Sequence, residues 1–213
     1  MTLLLASARD ATIRAGRGNS IRLVVFGLVL VALSCGGGSG GSASSTGSAI
    51  YSGTLHGQFF VPRDAISANV PHPAGTTGIV VLTDATGLCA QLSAGKAPKN
   101  SRFLVLTAFA SQPDLSVLAP SAPGTYSLTG AGPRFAFAVF SGIGANCEEL
   151  GPGVADFGNS GTLTFSSVSG RYTGTFSLGF DGGDQGTGSF DAANCPALAR
   201  LSDPTQREAL VCQ

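Results

Sequence analysis

The chain has no tryptophan, one methionine, at its first position, and only two histidines, and 11% of its 213 residues are charged. Each shortage narrows the field. Twelve Lys and Arg are scattered without a cluster, so nothing here matches the phosphates of a nucleic acid, which need basic residues gathered on one face. Neither histidine accompanies a Gly-x-Ser-x-Gly elbow, and neither has a carboxylate nearby in sequence to orient it, which argues against a recognisable hydrolase. No apolar run approaches the roughly 20 residues that span a bilayer as a helix.

Glycine is abundant instead, at 31 residues, beside 11 prolines and 43% hydrophobic residues. That mixture disfavours long helices and favours short strands joined by many turns. The length suits one domain with a single core. The formal charge of zero conceals an asymmetry, because Arg9, Arg14, Arg17 and Arg22 share the first 34 residues with a single acid, Asp10. The remainder carries eight basic and eleven acidic residues, a net charge of about −3.

The N-terminal part reads as an address. Arg14, Arg17 and Arg22 precede an apolar stretch of 11 residues, Leu23 to Leu33, and the small Ser34 stands before Cys35. This order of basic, apolar and small residues predicts a signal peptide over residues 1–34. The sequence Val31-Ala-Leu-Ser-Cys35 resembles the lipobox of bacterial lipoproteins. It differs from the family's usual form in having Ala32 three places before the cysteine, with Leu33 one place late. The resemblance implies that Cys35 is acylated, with palmitate as the expected acyl group, and becomes the new N-terminus. It also implies a lipid anchor in the cell envelope and, because Gly36 rather than aspartate follows the cysteine, the outer membrane. Glycine and serine dominate the residues up to Ala49, a composition suited to a tether that holds a domain off a membrane surface. Residues 35–49 are thus expected to be lipidated cysteine plus tether, and residues 50–213 one β domain.

With Cys35 set aside, Cys89, Cys147, Cys195 and Cys212 remain. An even number in an exported domain predicts disulfides, and four cysteines allow three connectivities. Proximity in sequence favours Cys195–Cys212, leaving Cys89–Cys147. A zinc site is disfavoured because no two of these cysteines are closer than 17 residues, whereas zinc ligands usually come in pairs two to four residues apart.

Beyond Ala49 apolar residues recur at every second position, the mark of strands with one wet face. Leu55, Phe59 and Val61 share a predicted inner face in the first run. Over residues 171–180, Tyr172, Phe176, Leu178 and Phe180 face one way and Thr173, Thr175 and Ser177 the other. Further strands are predicted over 78–83, 103–110, 125–128, 135–140, 162–168 and 186–192, separated by Gly and Pro clusters. The sequence "NVPHPAG" around His72 reads as a loop. Short helices are predicted over 86–94 and, from an Asp203 N-cap, over 204–211. The fold class is therefore all-β: an antiparallel sandwich or barrel of about eight strands, with one or two short helices including a C-terminal one. Residues 82–109 and 161–195 also resemble β-rich bacterial lipoproteins; the likeness implies export and β architecture and transfers no site.

Candidate chemistry is sparse. His56 or His72 could act as a base with one of Asp84, Asp114, Glu148, Glu149, Asp156, Asp181, Asp184 or Asp191, but most of these acids adjoin Gly, Pro or Asn, where aspartate serves turns. Asp181 and Asp184, in "DGGDQG", are the best calcium ligands on offer, yet two carboxylates fall short of the six to eight oxygens that calcium takes. The same four residues suit a hairpin turn, since Gly182 and Gly183 tolerate positive φ. The sequence "GGGSGG" has no preceding strand and no following Lys-Ser or Lys-Thr, so it is no phosphate loop. No catalytic residue, metal or cofactor is therefore assigned. The reading is a lipid-anchored binding or structural module, with an envelope protein or a small apolar ligand as partner. The alternatives are a barrel-type carrier, in which Gly174, Gly186 and Gly188 either leave room for the ligand or let aromatics pack closely, and an envelope hydrolase.

Overall fold

In the computed structural model the described residues are 46–130, 132–146, 148, 156–199 and 210–212. The strands are β1 (Ser48–Leu55), β2 (Gln58–Phe59), β3 (Asp64–His72), β4 (Gly75–Thr83), β5 (Lys96–Ala97), β6 (Ser101–Ser111), β7 (Val117–Leu118), β8 (Gly124–Ser127), β9 (Arg134–Ile143), β10 (Asp156–Ser167), β11 (Arg171–Phe180), β12 (Gln185–Asn194) and β13 (Val211–Cys212). Helix α1 spans Leu88–Ser93 and α2 spans Pro196–Ala199. The fold is all-β with two short helices, one of them in the C-terminal part.

The main sheet closes on itself. Around the ring, β12 pairs with β3, β3 with β4, β4 with β6, β6 with β9, β9 with β10, β10 with β11, and β11 again with β12. Closure of this kind removes exposed sheet edges. Two neighbours diverge along part of their length, and a further strand occupies each gap. β1 runs along β12 from Ser48↔Asp191 to Gly53↔Gly186, below the point where β12 meets β3. β8 lies on β10 from Thr162↔Ser127 to Phe165↔Gly124, beyond the short β9–β10 contact. Most pairings are antiparallel, but the β12–β3 contact that closes the ring is parallel.

Alternation decides what lies inside. In β11 the side chains of Tyr172, Phe176, Leu178 and Phe180 are buried while Thr175 and Ser177 are exposed, as the period of two requires. The interior is a column of rings. Phe165 meets Tyr126, Tyr172 and Phe190 edge-on at centroid distances of 5.5, 5.1 and 5.8 Å. Phe190 stacks with Phe176 and Phe176 with Tyr51, and Phe60 packs edge-on against Tyr51 and Phe140. Glycine makes this packing possible: a methyl group at Gly174 would lie 2.9 Å from Phe190 Cζ, at Gly186 2.1 Å from Tyr51 Oη, and at Gly188 2.4 Å from Phe176 Cζ. These three glycines admit aromatics rather than leaving a void.

A second apolar cluster lies outside the barrel, on β3 and β4. Ile66, Ala68, Val70, Ile79 and Val81 meet Leu88 and Leu92 of α1 and Ala197 and Leu198 of α2. This is why β4 is buried on both faces from Thr77 to Thr83 and reads as a continuous apolar run rather than an alternating one.

Several expectations change here. The first predicted strand is broken after Leu55: His56 (φ 52°) and Gly57 (φ 68°) make a left-handed pair that reverses the chain into β2, the geometry of a type I′ hairpin turn. The reversal shifts the phase, so Phe60 is buried at 1% exposure while Phe59 and Val61 stand out at 78% and 65%. The stretch around His72 is strand, with Pro71↔Thr76 and His72↔Gly75 in register. Ser48 and Ala49, assigned to the tether, already belong to β1. Most of the helix predicted over 204–211 lies outside the described residues, and Val211 is in β13, parallel to β5.

The disulfide is Cys89–Cys195, with Cα atoms 5.6 Å apart, within the range that geometry demands. It joins α1 to the residue between β12 and α2, two elements that dock side by side on the same outer sheet face. The expected Cys195–Cys212 bridge is excluded because Cys195 is already paired, and Cys89 is likewise taken from Cys147. Cys147 and the side chain of Cys212 lie outside the described residues.

Candidate functional site at the barrel mouth

The β11–β12 hairpin forms part of one barrel mouth. Phe180 N–H donates to Asp184 O at 3.0 Å, Gly183 N–H donates to Phe180 O at 2.9 Å, and Gly183 holds a φ of 87°. Asp181 N–H donates to Phe157 O, tying the turn to β10. The hairpin expected of residues 181–184 is thus present, with Leu178↔Gly186 and Gly179↔Gln185 as its last pairs.

Its two aspartates differ in role. Asp181 is exposed. Asp184 accepts the Thr54 hydroxyl at 2.6 Å through one oxygen and Gly57 N–H at 3.3 Å through the other, so it closes the β1–β2 turn from just ahead of the neighbouring strand β12. The Thr54 hydroxyl, foremost, then the Gly57 and His56 amides and the nearby His56 charge, hold its carboxyl below the ordinary range. Among the described residues no group of three His, Cys, Asp or Glu side chains comes together to hold a metal ion.

Beside them lies Asp156, at the start of β10 and only 4% exposed. One of its oxygens accepts Gly182 N–H at 3.3 Å; the other is buried with no hydrogen-bond partner in the structure. Tyr51 completes the group, its hydroxyl donating to Thr54 O at 3.2 Å. Burial, foremost, and the charges of Asp184 and Asp156 push its phenol up to about 12. His56 sits at the tip of the neighbouring turn with its ring centroid 6.1 Å from that of Phe140.

The structure therefore brings His56, Asp184, Asp156, Tyr51 and Thr54 to one end of the barrel. Their arrangement is that of a structural lock rather than a nucleophile–base relay, since the Thr54 hydroxyl donates straight to a carboxylate that a turn amide already occupies. Phe60 seals the mouth beneath them: its ring lies under the Arg102 guanidinium at 5.9 Å, and Arg102 is held by Asp84 at 2.9 Å and donates to Phe59 O.

The other sequence candidates are dispersed. The His72 imidazole accepts Ala74 N–H through Nδ1 at 3.1 Å and so closes the β3–β4 turn. Asp114 caps its own turn through the Ser116 hydroxyl and amide, which hold its carboxyl low. Glu148 accepts Asn146 N–H, and Asp191 pairs with Arg171 at 2.5 Å; Glu149 lies outside the described residues. A shallow cleft of about 180 Å³ opens at the opposite end, lined by Ser67, Asn69, Val168, Arg171, Tyr172 and Asn194. Tyr172 donates its hydroxyl to Asn69 Oδ1 there.

One carboxylate that sequence reasoning passed over is Asp64. It is 2% exposed and accepts three backbone amides, from Gly47 at 3.3 Å, Ala65 at 2.9 Å and Leu88 at 2.8 Å. Helix α1 has Gly87 at its N-cap with no side-chain cap of its own, so Asp64 supplies the missing acceptor from 24 residues away. The one local clue was a helix start without Ser, Thr, Asp or Asn in the capping position.

Comparison with protein-family models, curated proteins and solved structures finds no match to this chain.

Proposed function

We propose that this protein is a lipid-anchored β-barrel domain of the cell envelope, of the outer membrane in particular, that works through its outer surface as a binding or structural module. The observation that carries the reading is the combination of an N-terminal Val31–Cys35 lipobox-like sequence with a barrel whose interior is filled from Tyr126 to Phe60 by side chains. Carriage of a ligand inside the barrel finds no support in such a core. The cleft of about 180 Å³ is also smaller than the roughly 300–1,000 Å³ of ordinary small-molecule sites.

Two features support the surface reading. The Cys89–Cys195 bridge suits an oxidising compartment. On the outer face of β6 and β9, Phe109 stacks with Phe135 and Phe137 at 5.6 and 5.8 Å, and Phe137 and Phe157 remain 39% and 49% exposed. Solvated aromatic faces of this kind mark interaction surfaces. The test is fractionation of cells expressing the full chain. The wild type is expected in the membrane fraction and Cys35→Ser in the soluble envelope fraction; an unchanged membrane distribution of Cys35→Ser would sink the lipid anchor.

A further inference from the structure

We infer that the tip formed by Phe59 and Val61 is a membrane-contact surface that enters the lipid to which the chain is anchored. The inference rests on the lipid-anchor reading above and deepens it. The observation is a conflict with ordinary burial: a barrel that packs its interior with aromatics leaves a phenylalanine 78% exposed and a valine 65% exposed two residues apart. The residue between them, Phe60, is 1% exposed and wedged against Tyr51 and Phe140. That wedge fixes both outward side chains in place. Arg102, itself held by Asp84, donates to Phe59 O, and exposed Arg63 follows two residues after Val61. An apolar tip with exposed Arg63 close by fits a phospholipid surface, which takes apolar side chains among its acyl chains and basic ones among its headgroups, while Arg102, already paired with Asp84, holds the Phe59 backbone.

The position of the tether favours this tip over the equally exposed Leu115 at the other end of the barrel. Gly47 N–H donates to Asp64 Oδ1, and Asp64 is three residues from Val61, at most about 10 Å along the chain. Eleven residues, mostly Gly and Ser, separate Cys35 from Gly47, and a chain of that composition has a root-mean-square reach of about 20 Å. Leu115 is just as exposed, at 82%, but lies beyond Ser111 at the far end of β6. Arg102, which touches Phe59, is at the near end of that strand. Nine residues of strand put about 30 Å between them. The tether holds the Phe59 end within its reach and leaves the Leu115 end facing away.

The absence of tryptophan makes a direct test possible, because Phe59→Trp and Leu115→Trp each introduce the sole indole at a site that does not disturb the core. Each full-length variant is purified in its acylated form and reconstituted on vesicles of phosphatidylethanolamine and phosphatidylglycerol. The expected result is a blue-shifted emission for Phe59→Trp, quenched by lipids brominated in their acyl chains and shielded severalfold from aqueous iodide relative to Leu115→Trp. If the acylated protein floats with the vesicles and both indoles are equally open to iodide, the tip inference falls while the anchor stands. If Cys35 carries no acyl mass and the protein does not float, the anchor reading falls and takes the tip with it.

Discussion

The replacement of both bridged cysteines, Cys89→Ala with Cys195→Ala, tests the staple between α1 and the end of β12. The bridge closes a loop of 106 residues, and in the chain-entropy treatment a loop of that length restricts the unfolded chain by about 4.7 kcal/mol, against about 3 kcal/mol for a loop of the size that Cys195–Cys212 would close. Domains of this kind are stable by roughly 5–15 kcal/mol in total, so the loss brings the fold close to its margin. For a domain of this size each kcal/mol moves the melting temperature by about 2–4 °C, which gives an expected drop of about 10–20 °C. The assay is thermal unfolding of the purified domain followed by far-ultraviolet circular dichroism. Peptide mapping of the wild type under non-reducing conditions accompanies it. A drop of less than about 1 kcal/mol, or a mapped Cys195–Cys212 peptide, would refute the reasoning.

Three further outcomes are expected. Asp64→Ala removes the acceptor of buried amides at Gly47 and Leu88 and is expected to destabilise the domain by about 3–5 kcal/mol in urea titrations; a loss below about 1 kcal/mol would remove Asp64 from its role as the remote cap of α1. Gly188→Ala places a methyl group 2.2 Å from Ile50 O and 2.4 Å from Phe176 Cζ and is expected to cost at least about 1–3 kcal/mol by overpacking, whereas an unchanged midpoint would show spare room in the interior. Tyr51 and Tyr172 both titrate near 12 rather than 10 in the folded protein, chiefly through burial. Because the unfolded phenols ionise first, their stabilising contribution is complete below pH 10 and is lost as the pH rises from 10 through 12. Phenolate absorbance rising in full near pH 10, without unfolding, would contradict this.

The parts of the fold that the sequence made legible are those where one face is wet. β11 shows its period of two because Thr175 and Ser177 face solvent opposite Phe176 and Leu178, and the Asp181–Asp184 turn is readable because its glycines supply the conformation a reversal needs. β3 escaped because Asp64 to Ala68 is buried on both faces, under α1 and α2, so no alternation was left to read and Pro71-His-Pro suggested a loop. The phase error at Phe59 came from His56, a non-glycine residue at φ 52°, whose turn conformation carries only a weak local signal. The disulfide partner was illegible for another reason: α1 and Cys195 meet only because both pack on the back of β3 and β4, a tertiary fact with 106 residues of chain between the two sulfurs.

The candidate site divides in the same way. Asp184 and the turn around it could be anticipated from the Gly and Asp composition, though its bond to Thr54, 130 residues away, could not. Asp156 was one of eight candidate acids in the sequence; only the packing of the hairpin turn against the start of β10 shows that it is buried with one oxygen unpartnered. Asp64 had no distinguishing neighbour at all. Its importance comes from three amides converging from the residue before β1, from β3 and from α1.

On the proposed reading, a filled, stapled barrel is held at a membrane by lipid on Cys35 and acts through its outside. Mass spectrometry of the N-terminal peptide from the membrane-extracted protein tests it most directly. The expected chain begins at Cys35 and carries acyl chains on that residue. An unmodified Cys35, or a leader still attached to it, would overturn the lipid anchor.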